Sequence, residues 1–190
     1  MDARDFVAIT LLKAGGEIRG KTKLQKLVYF VGVLTDRLDD LGYRAHFYGP
    51  YSDEVAYAVS QLKTIGAVDQ NVTDWGIDRS GFEVKRYDFR LNAEGRKFAE
   101  HLARRHRDTA EQIRCAVELY RKAGDRDYMS LSIAAKTYFL LGQKRGKATL
   151  EQLVKLASRF GWNVSDAQIT EAIEYLQQLG LVELASPEDN

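Results

Sequence analysis

Residues able to carry chemistry are sparse in this chain. The three histidines, His46, His101 and His106, show no metal-ligand spacing with the single cysteine, Cys115, or with one another. Cys115 stands beside Arg114 in a segment with an apolar helical face, where a lone cysteine is a structural residue. No nucleophile elbow is present. Gly15-Gly16-Glu17-Ile18-Arg19-Gly20-Lys21-Thr22 formally fits a phosphate-binding loop. That loop needs a preceding strand and a parallel sheet, whereas residues 3–14 carry a helical pattern, so nucleotide binding is not expected. The chain reads as a non-enzyme with no catalytic residue, no cofactor and no metal.

Residues suited to binding are more numerous. Lys21, Lys23 and Lys26 crowd one short stretch. Arg79, Lys85, Arg86 and Arg90 form a second cluster, diluted by Asp78, Glu83 and Asp88. Arg96, Lys97, Arg104, Arg105 and Arg107 form a third, and Lys144, Arg145 and Lys147 a fourth. Such clusters are either phosphate-binding patches or ordinary solvated helix ends. Tyr48 and Tyr51, flanking Gly49-Pro50, are either packing residues of a turn or an aromatic partner-binding surface.

The elements that position them are legible from periodicity. Residues 3–14 predict a helix ended by Gly15-Gly16. Leu24, Leu27, Val28, Val31, Leu34, Leu38 and Leu41 step by three and four, which predicts one amphipathic helix from Thr22 to Gly42, with Thr22 and Gln25 as a capping box. Residues 17–21 only lead into it. Residues 44–48 are short, aromatic and strand-like. Gly49-Pro50 turns the chain, and Ser52 caps a second helix that buries Val55, Ala58, Val59, Leu62 and Ile65 and stops at Gly66. A hairpin follows over 67–91, with Tyr87, Phe89 and Leu91 alternating with Arg86, Asp88 and Arg90, and a loose tip between Trp75 and Gly81. Helix, short strand, helix and hairpin is the order of a winged helix-turn-helix.

Lys23-Leu24-Gln25-Lys26-Leu27 followed by Tyr48-Gly49-Pro50-Tyr51-Ser52 resembles the uncharacterised YwgA-like winged-helix proteins of bacteria and archaea. More distantly it is similar to the Panacea (SocA-like) antitoxin domain. The match covers mainly residues 20–68. It implies a winged-helix scaffold in a regulatory or antitoxin-like setting, and brings no catalytic residues.

Beyond the hairpin, Asn92 caps a helix to Arg105 and Thr109 with Gln112 starts another to Ala123. Residues 128–142 form a strongly apolar helix, and Thr149 with Gln152 and Ser165 with Gln168 begin two more. The segment 58–69 matches 172–183 in pattern, an apolar helix stopped by glycine before an apolar strand, which suggests a second helix-turn-helix unit over 128–185. The expected architecture is α+β and mostly helical: a winged helix-turn-helix domain over 1–107 and a helical, winged-helix-like domain over 108–190.

Whole-chain properties bound the function. The 190 residues are 45% hydrophobic and 29% charged, which permits a real core. A net charge of +1 implies nothing about nucleic acid. A single cysteine and no apolar run near membrane length point to a cytoplasmic protein without a membrane partner. A winged-helix regulator binding DNA is the first expectation, with backbone contacts from Lys21, Lys23, Lys26, Arg79, Lys85 and Arg86. The alternative is a protein-interaction module, antitoxin-like or a defence-associated adaptor, or a homodimer. Acidic Asp53 and Glu54 at the start of the 52–65 helix, and six acids without a base over 165–190, favour that alternative.

Overall fold

The structure, a computed structural model, describes residues 1–77, 83–124, 126–143 and 148–182. Among them the chain is α+β and mostly helical, with eight α-helices and one three-stranded antiparallel sheet. No helix of the described residues is long and apolar enough to cross a membrane. The chain divides into two compact units: Met1–Tyr43 with Ser52–Val117, and Arg44–Tyr51 with the described residues after Val117.

The first unit begins with α1, Ala3–Lys13, capped by the Asp2 carboxylate, which accepts from the Asp5 N–H at 2.8 Å. Phe6, Val7, Ala8, Ile9 and Leu11 are buried, and α1 packs against three other helices of the unit. Glu17–Arg19 then forms β1, a strand where only a lead-in was expected. Its one apolar residue, Ile18, pairs with Phe89, and so short a strand between glycines leaves no alternation to detect.

Helix α2 runs Lys21–Leu34, not to Leu41. Asp36 adopts a left-handed φ of 53°, the Asp36 N–H donates to Val33 O, and the Arg37 N–H donates to Gly32 O. This is a Schellman ending with aspartate in the place glycine usually takes. The chain then folds back through a short 3-10 turn, Asp39–Leu41, which seats Leu41 against Gly32, where a Cβ would stand 2.8 Å from the leucine Cδ1. Leu38 and Leu41 thus keep the three-four spacing of the stripe without continuing the helix. The expected Thr22 cap is also absent. The N-cap is Gly20, and the Gln25 side chain is engaged elsewhere.

Helix α3, Asp53–Thr64, follows, with Val55, Ala58, Val59 and Leu62 buried as expected. Ile65 departs from expectation at 56% exposed. It is the C-cap residue, and the turn through Gly66 makes Ala67 the residue whose N–H bonds Leu62 O. Strands β2, Val68–Ile77, and β3, Glu83–Leu91, form the hairpin, and β1 adds on the free side of β3. Phe89 and Leu91 face the core while Arg90 is exposed, as the alternation predicts. Residues 78–82 of the expected hairpin tip lie outside the described residues.

Asn92 caps α4, Ala93–Arg105. Gly95 in its first turn packs onto the backbone of Ala67, where a Cβ would stand 1.8 Å from the carbonyl oxygen. Helix α5, Arg107–Lys122, starts directly after His106, so Thr109 lies inside it and caps nothing.

The second unit contains α6, Tyr128–Gln143, α7, Leu150–Arg159, and α8, Asp166–Gln178. Both predicted capping boxes, Thr149 with Gln152 and Ser165 with Gln168, are formed in full. Helix α6 packs against both α7 and α8, the central place its apolar sequence predicts. Leu181 and Val182 form no strand; the Leu181 N–H closes α8 on Leu176 O. Residues beyond 182 lie outside the described chain, as does the basic loop at Lys144, Arg145 and Lys147.

Two expectations follow from this packing. Leu62→Ala, at a position with 0% exposure, lowers stability by about 2–5 kcal/mol, read as a shift in the denaturant midpoint. Gly95→Ala forces α4 off the Ala67 carbonyl and costs about 1–3 kcal/mol, and an unchanged midpoint contradicts that close approach.

Candidate binding surface

The paired motifs meet at Gln25. Its Nε2 donates to Ser52 O at 2.9 Å, and its Oε1 accepts from the Ser52 N–H at 3.1 Å. Ser52 in turn accepts from the Val55 N–H at 2.9 Å and donates to Leu41 O. The Gln25 carbonyl accepts from the Tyr43 hydroxyl at 2.7 Å. Gln25 and Ser52 are 2% and 0% exposed, so this network is interior and its polar groups are matched.

Around that clasp the predicted binding residues separate. Lys21 is exposed and Lys23 half-buried, but Lys26 is 1% exposed. The expectation of a solvated lysine triplet is therefore corrected. Helix α2 is buried on every side from Leu24 to Gly32, because helices and sheet surround it, and Lys26 falls within that stretch. Three cations in sequence leave two at the surface.

On the sheet, the described cations stand against carboxylates. Arg86 Nε lies 2.9 Å from Asp88, Lys85 Nζ 3.5 Å from Asp74, Arg90 3.9 Å from Asp69, and Arg19 3.1 Å from Glu17. The register explains this: Asp69 pairs directly with Arg90 and Asp74 with Lys85 across β2 and β3. The Arg86 guanidinium also lies 5.1 Å from the centre of the Trp75 ring, which is 57% exposed. Arg79 lies outside the described residues.

The outward face of α3 holds Asp53, Glu54 and Tyr57, all exposed, with Lys63 near its far end. Tyr57 is 63% exposed and Ile65 lies at the helix end. Sequence reasoning passed over Tyr57, although an exposed aromatic falls out of step with the buried stripe of α3, and it placed Trp75 at the loose hairpin tip, whereas Trp75 lies within β2.

Tyr48 and Tyr51 belong to the second unit. The expected strand at 44–48 is not formed. Instead Arg44 and Tyr51 make one isolated two-hydrogen-bond bridge that closes the segment as a loop. Gly49, at φ 85°, sits against Ser132 and Lys136 of α6, where a Cβ would stand 3.1 Å from the Ser132 carbonyl oxygen. The Trp162 indole N–H donates to His46 O at 2.8 Å. Phe47 and Tyr48 are exposed at the loop's tip, whereas Tyr51 is half-buried against the His46 ring. The Lys136 ammonium lies 5.4 Å from the Trp162 ring, and burial holds it below the usual lysine pKa. Trp162, 2% exposed, is the anchor of this loop and was not singled out from sequence.

The remaining chemistry is accounted for locally. Among the described residues no group of three histidine, cysteine or acidic side chains could hold a metal ion. His106 approaches the buried Asp5 carboxylate at 3.6 Å. Cys115 is exposed, next to the Arg114–Glu111 ion pair, in which the Arg114 guanidinium holds the Glu111 carboxyl below its usual pKa. The phosphate-loop pattern at 15–22 follows a helix and contains β1, not a cradle before a helix.

Comparison with known proteins agrees with the YwgA-like part of the motif resemblance. No protein-family model matches the chain. The chain is 33% identical to the uncharacterized protein YwgA of Bacillus subtilis (strain 168) over 86 residues, 45% of this chain. That stretch is 48% of YwgA, so the chain spans about half the length of the curated relative it matches.

Proposed function

We propose that this chain is a non-enzymatic regulator that docks a protein partner through a winged helix-turn-helix scaffold in its first unit. The order α1, β1, α2, α3, then a hairpin whose second strand takes up β1, supports that scaffold. The single observation that carries the choice of partner is the surface of α3. In a helix-turn-helix the second helix enters the major groove with its N-terminal residues against the bases. Here that end presents Asp53 and Glu54, which phosphates repel, followed by Tyr57. Exposed tyrosine and isoleucine with few cations suit a protein interface better than a duplex. The carboxylates across the hairpin cations reinforce this, because a phosphate must compete with each of them. The distant Panacea resemblance agrees with an antitoxin-like or adaptor setting.

A second function, duplex DNA binding, is favoured by Lys21 and Lys23 at the start of α2. It entails contacts mainly to the backbone, with weak sequence preference. A mixed-sequence duplex titrated at about 20 mM and about 200 mM salt separates the two. The protein-partner proposal expects no saturable binding at either salt. Saturable binding that weakens steeply with salt, strengthens with Asp53→Asn/Glu54→Gln, and loses up to about 2 units of salt slope in Lys21→Ala/Lys23→Ala overturns it in favour of DNA.

A further inference from the structure

Strand β2 is an edge of the sheet: the order is β1, β3, β2, and no strand of the described residues pairs with its outer side. The register tells which backbone groups lie there. The Gly20 N–H donates to Tyr87 O and the Leu91 N–H to Gly16 O, so the odd-numbered residues of β3 turn their backbone groups to β1. Along a strand these groups alternate in direction, so Arg86, Asp88 and Arg90 turn theirs to their β2 partners Thr73, Asn71 and Asp69. The Asn92 N–H on Ala67 O continues that alternation. Gln70, Val72 and Asp74 therefore point N–H and C=O outward. Val72 is 50% exposed, Asp74 is exposed and Gln70 is half-buried.

Proteins guard such edges with lysine, proline, bulges or short strands. The opposite edge, β1, is three residues long and carries Glu17 and Arg19. Strand β2 has ten residues, Val68–Ile77, with no lysine, arginine or proline among them. Its irregularity begins only after Asp74, so 68–74 stays regular.

We propose that this edge pairs antiparallel with β2 of a second copy of the chain, about a two-fold axis at Val72. Val72 then meets its own copy, and Gln70 meets Asp74 of the second copy. Each such pair exchanges two backbone hydrogen bonds. The Gln70 amide oxygen already accepts from Lys63, which leaves its N–H groups to donate to the carboxylate. The other two-fold registers match worse. An axis at Asp74 sets two carboxylates face to face. An axis at Asn71 lays Asp74 against Val68, which is 4% exposed, and one at Gln70 lays Val72 there. An axis at Thr73 lays Asp74 against Val72. The edge thus complements itself on reversal, which is why a second copy is its occupant. The contact goes beyond docking through α3, and it brings two α3 helices into one assembly.

Sedimentation of the full chain from about 5 to about 500 µM tests this, and the expected result is a dimer with a Kd of about 100 µM or tighter. Val72→Lys sets two ammonium groups on the axis and weakens the dimer at least about tenfold. Its melting temperature at the dilute end matches wild type, since that side chain is exposed and its N–H does not bond β3. Val72→Cys in a Cys115→Ser background cross-links under mild oxidation, because facing Cα atoms of this kind lie about 5.5 Å apart. Thr73→Cys in the same background does not, because residue 73 faces residue 71 of the second copy. Tyr57→Ala, on the outward face of α3, leaves the dimer unchanged. A chain still monomeric at about 500 µM overturns the proposal and leaves the edge to a foreign segment. A dimer that Val72→Lys leaves intact, that Tyr57→Ala weakens, or that cross-links equally through residue 73 overturns it too, since another surface or register then joins the copies. No DNA or partner protein is present, so failure here leaves the proposed function standing, and failure of that function leaves the dimer to be judged alone.

Discussion

Gln25 is the residue on which the first unit's architecture turns. The chain leaves that unit after Tyr43 and returns at Ser52, and Gln25 holds both points: its carbonyl takes the Tyr43 hydroxyl, and its side-chain amide pairs with the Ser52 backbone as a strand would. Ser52 then caps α3 and donates to Leu41, the residue that folds back on Gly32. A buried side-chain amide is costly unless its donors and acceptor are used, and a half-made network is worse than an apolar one. Here the same bonds that satisfy Gln25 fix where α3 begins. The two short motifs are coupled for this reason, one supplying the glutamine and the other the serine.

The same network explains what sequence could and could not reveal. Caps at Ser52, Asn92, Thr149 and Ser165 were legible because each satisfies orphan N–H groups within four residues of itself. The Thr22–Gln25 box has the same letters and does not form, because Gln25 makes better use of its amide 27 residues away. No local pattern announces a partner at that distance. Helix α2 reads too long for a related reason: three-four spacing survives a fold-back through Asp36, since Leu41 still reaches the core from the other direction and Leu38 lies half-buried near Gly32. The resemblance between 58–69 and 172–183 also has a local cause. Leu62 to Ala67 and Leu176 to Leu181 share one glycine-closed Schellman turn, but Ala157 to Trp162 and Leu11 to Gly16 make it too. The pattern marks a way of ending helices, and it is no specific sign of a repeated domain.

Charge was the least legible property, because sign is read from letters and availability from packing. Lys26 is a cation by sequence and an interior residue by position. The hairpin cations are exposed or half-exposed, yet the strand register puts an aspartate across from two of them, Lys85 and Arg90. Exposed pairs of this kind add little to stability. Their effect lies in the surface they leave, a sheet of near-balanced charge on which Trp75 is the prominent feature. An electrostatic footprint for phosphate needs cations that outnumber their local acids, and the first turn of α3, where Asp53 and Glu54 are exposed, does not meet that condition.

The loop 44–51 illustrates how one motif divides between structure and surface. Gly49 must be glycine, since φ is 85° and α6 passes too close for a side chain. His46 is held through its carbonyl by Trp162, and Tyr51 through its backbone by Arg44. These contacts hold the loop at His46, Gly49 and Tyr51, and none of them uses the rings of Phe47 or Tyr48, whose centres lie 5.1 Å apart edge to face and which stay exposed. Exposed aromatic area on a backbone fixed at both ends loses little conformational entropy on binding, which is what makes such rings effective interface anchors. The glycine and serine of the motif are thus explained by folding, and its outward rings are the part that folding leaves unexplained.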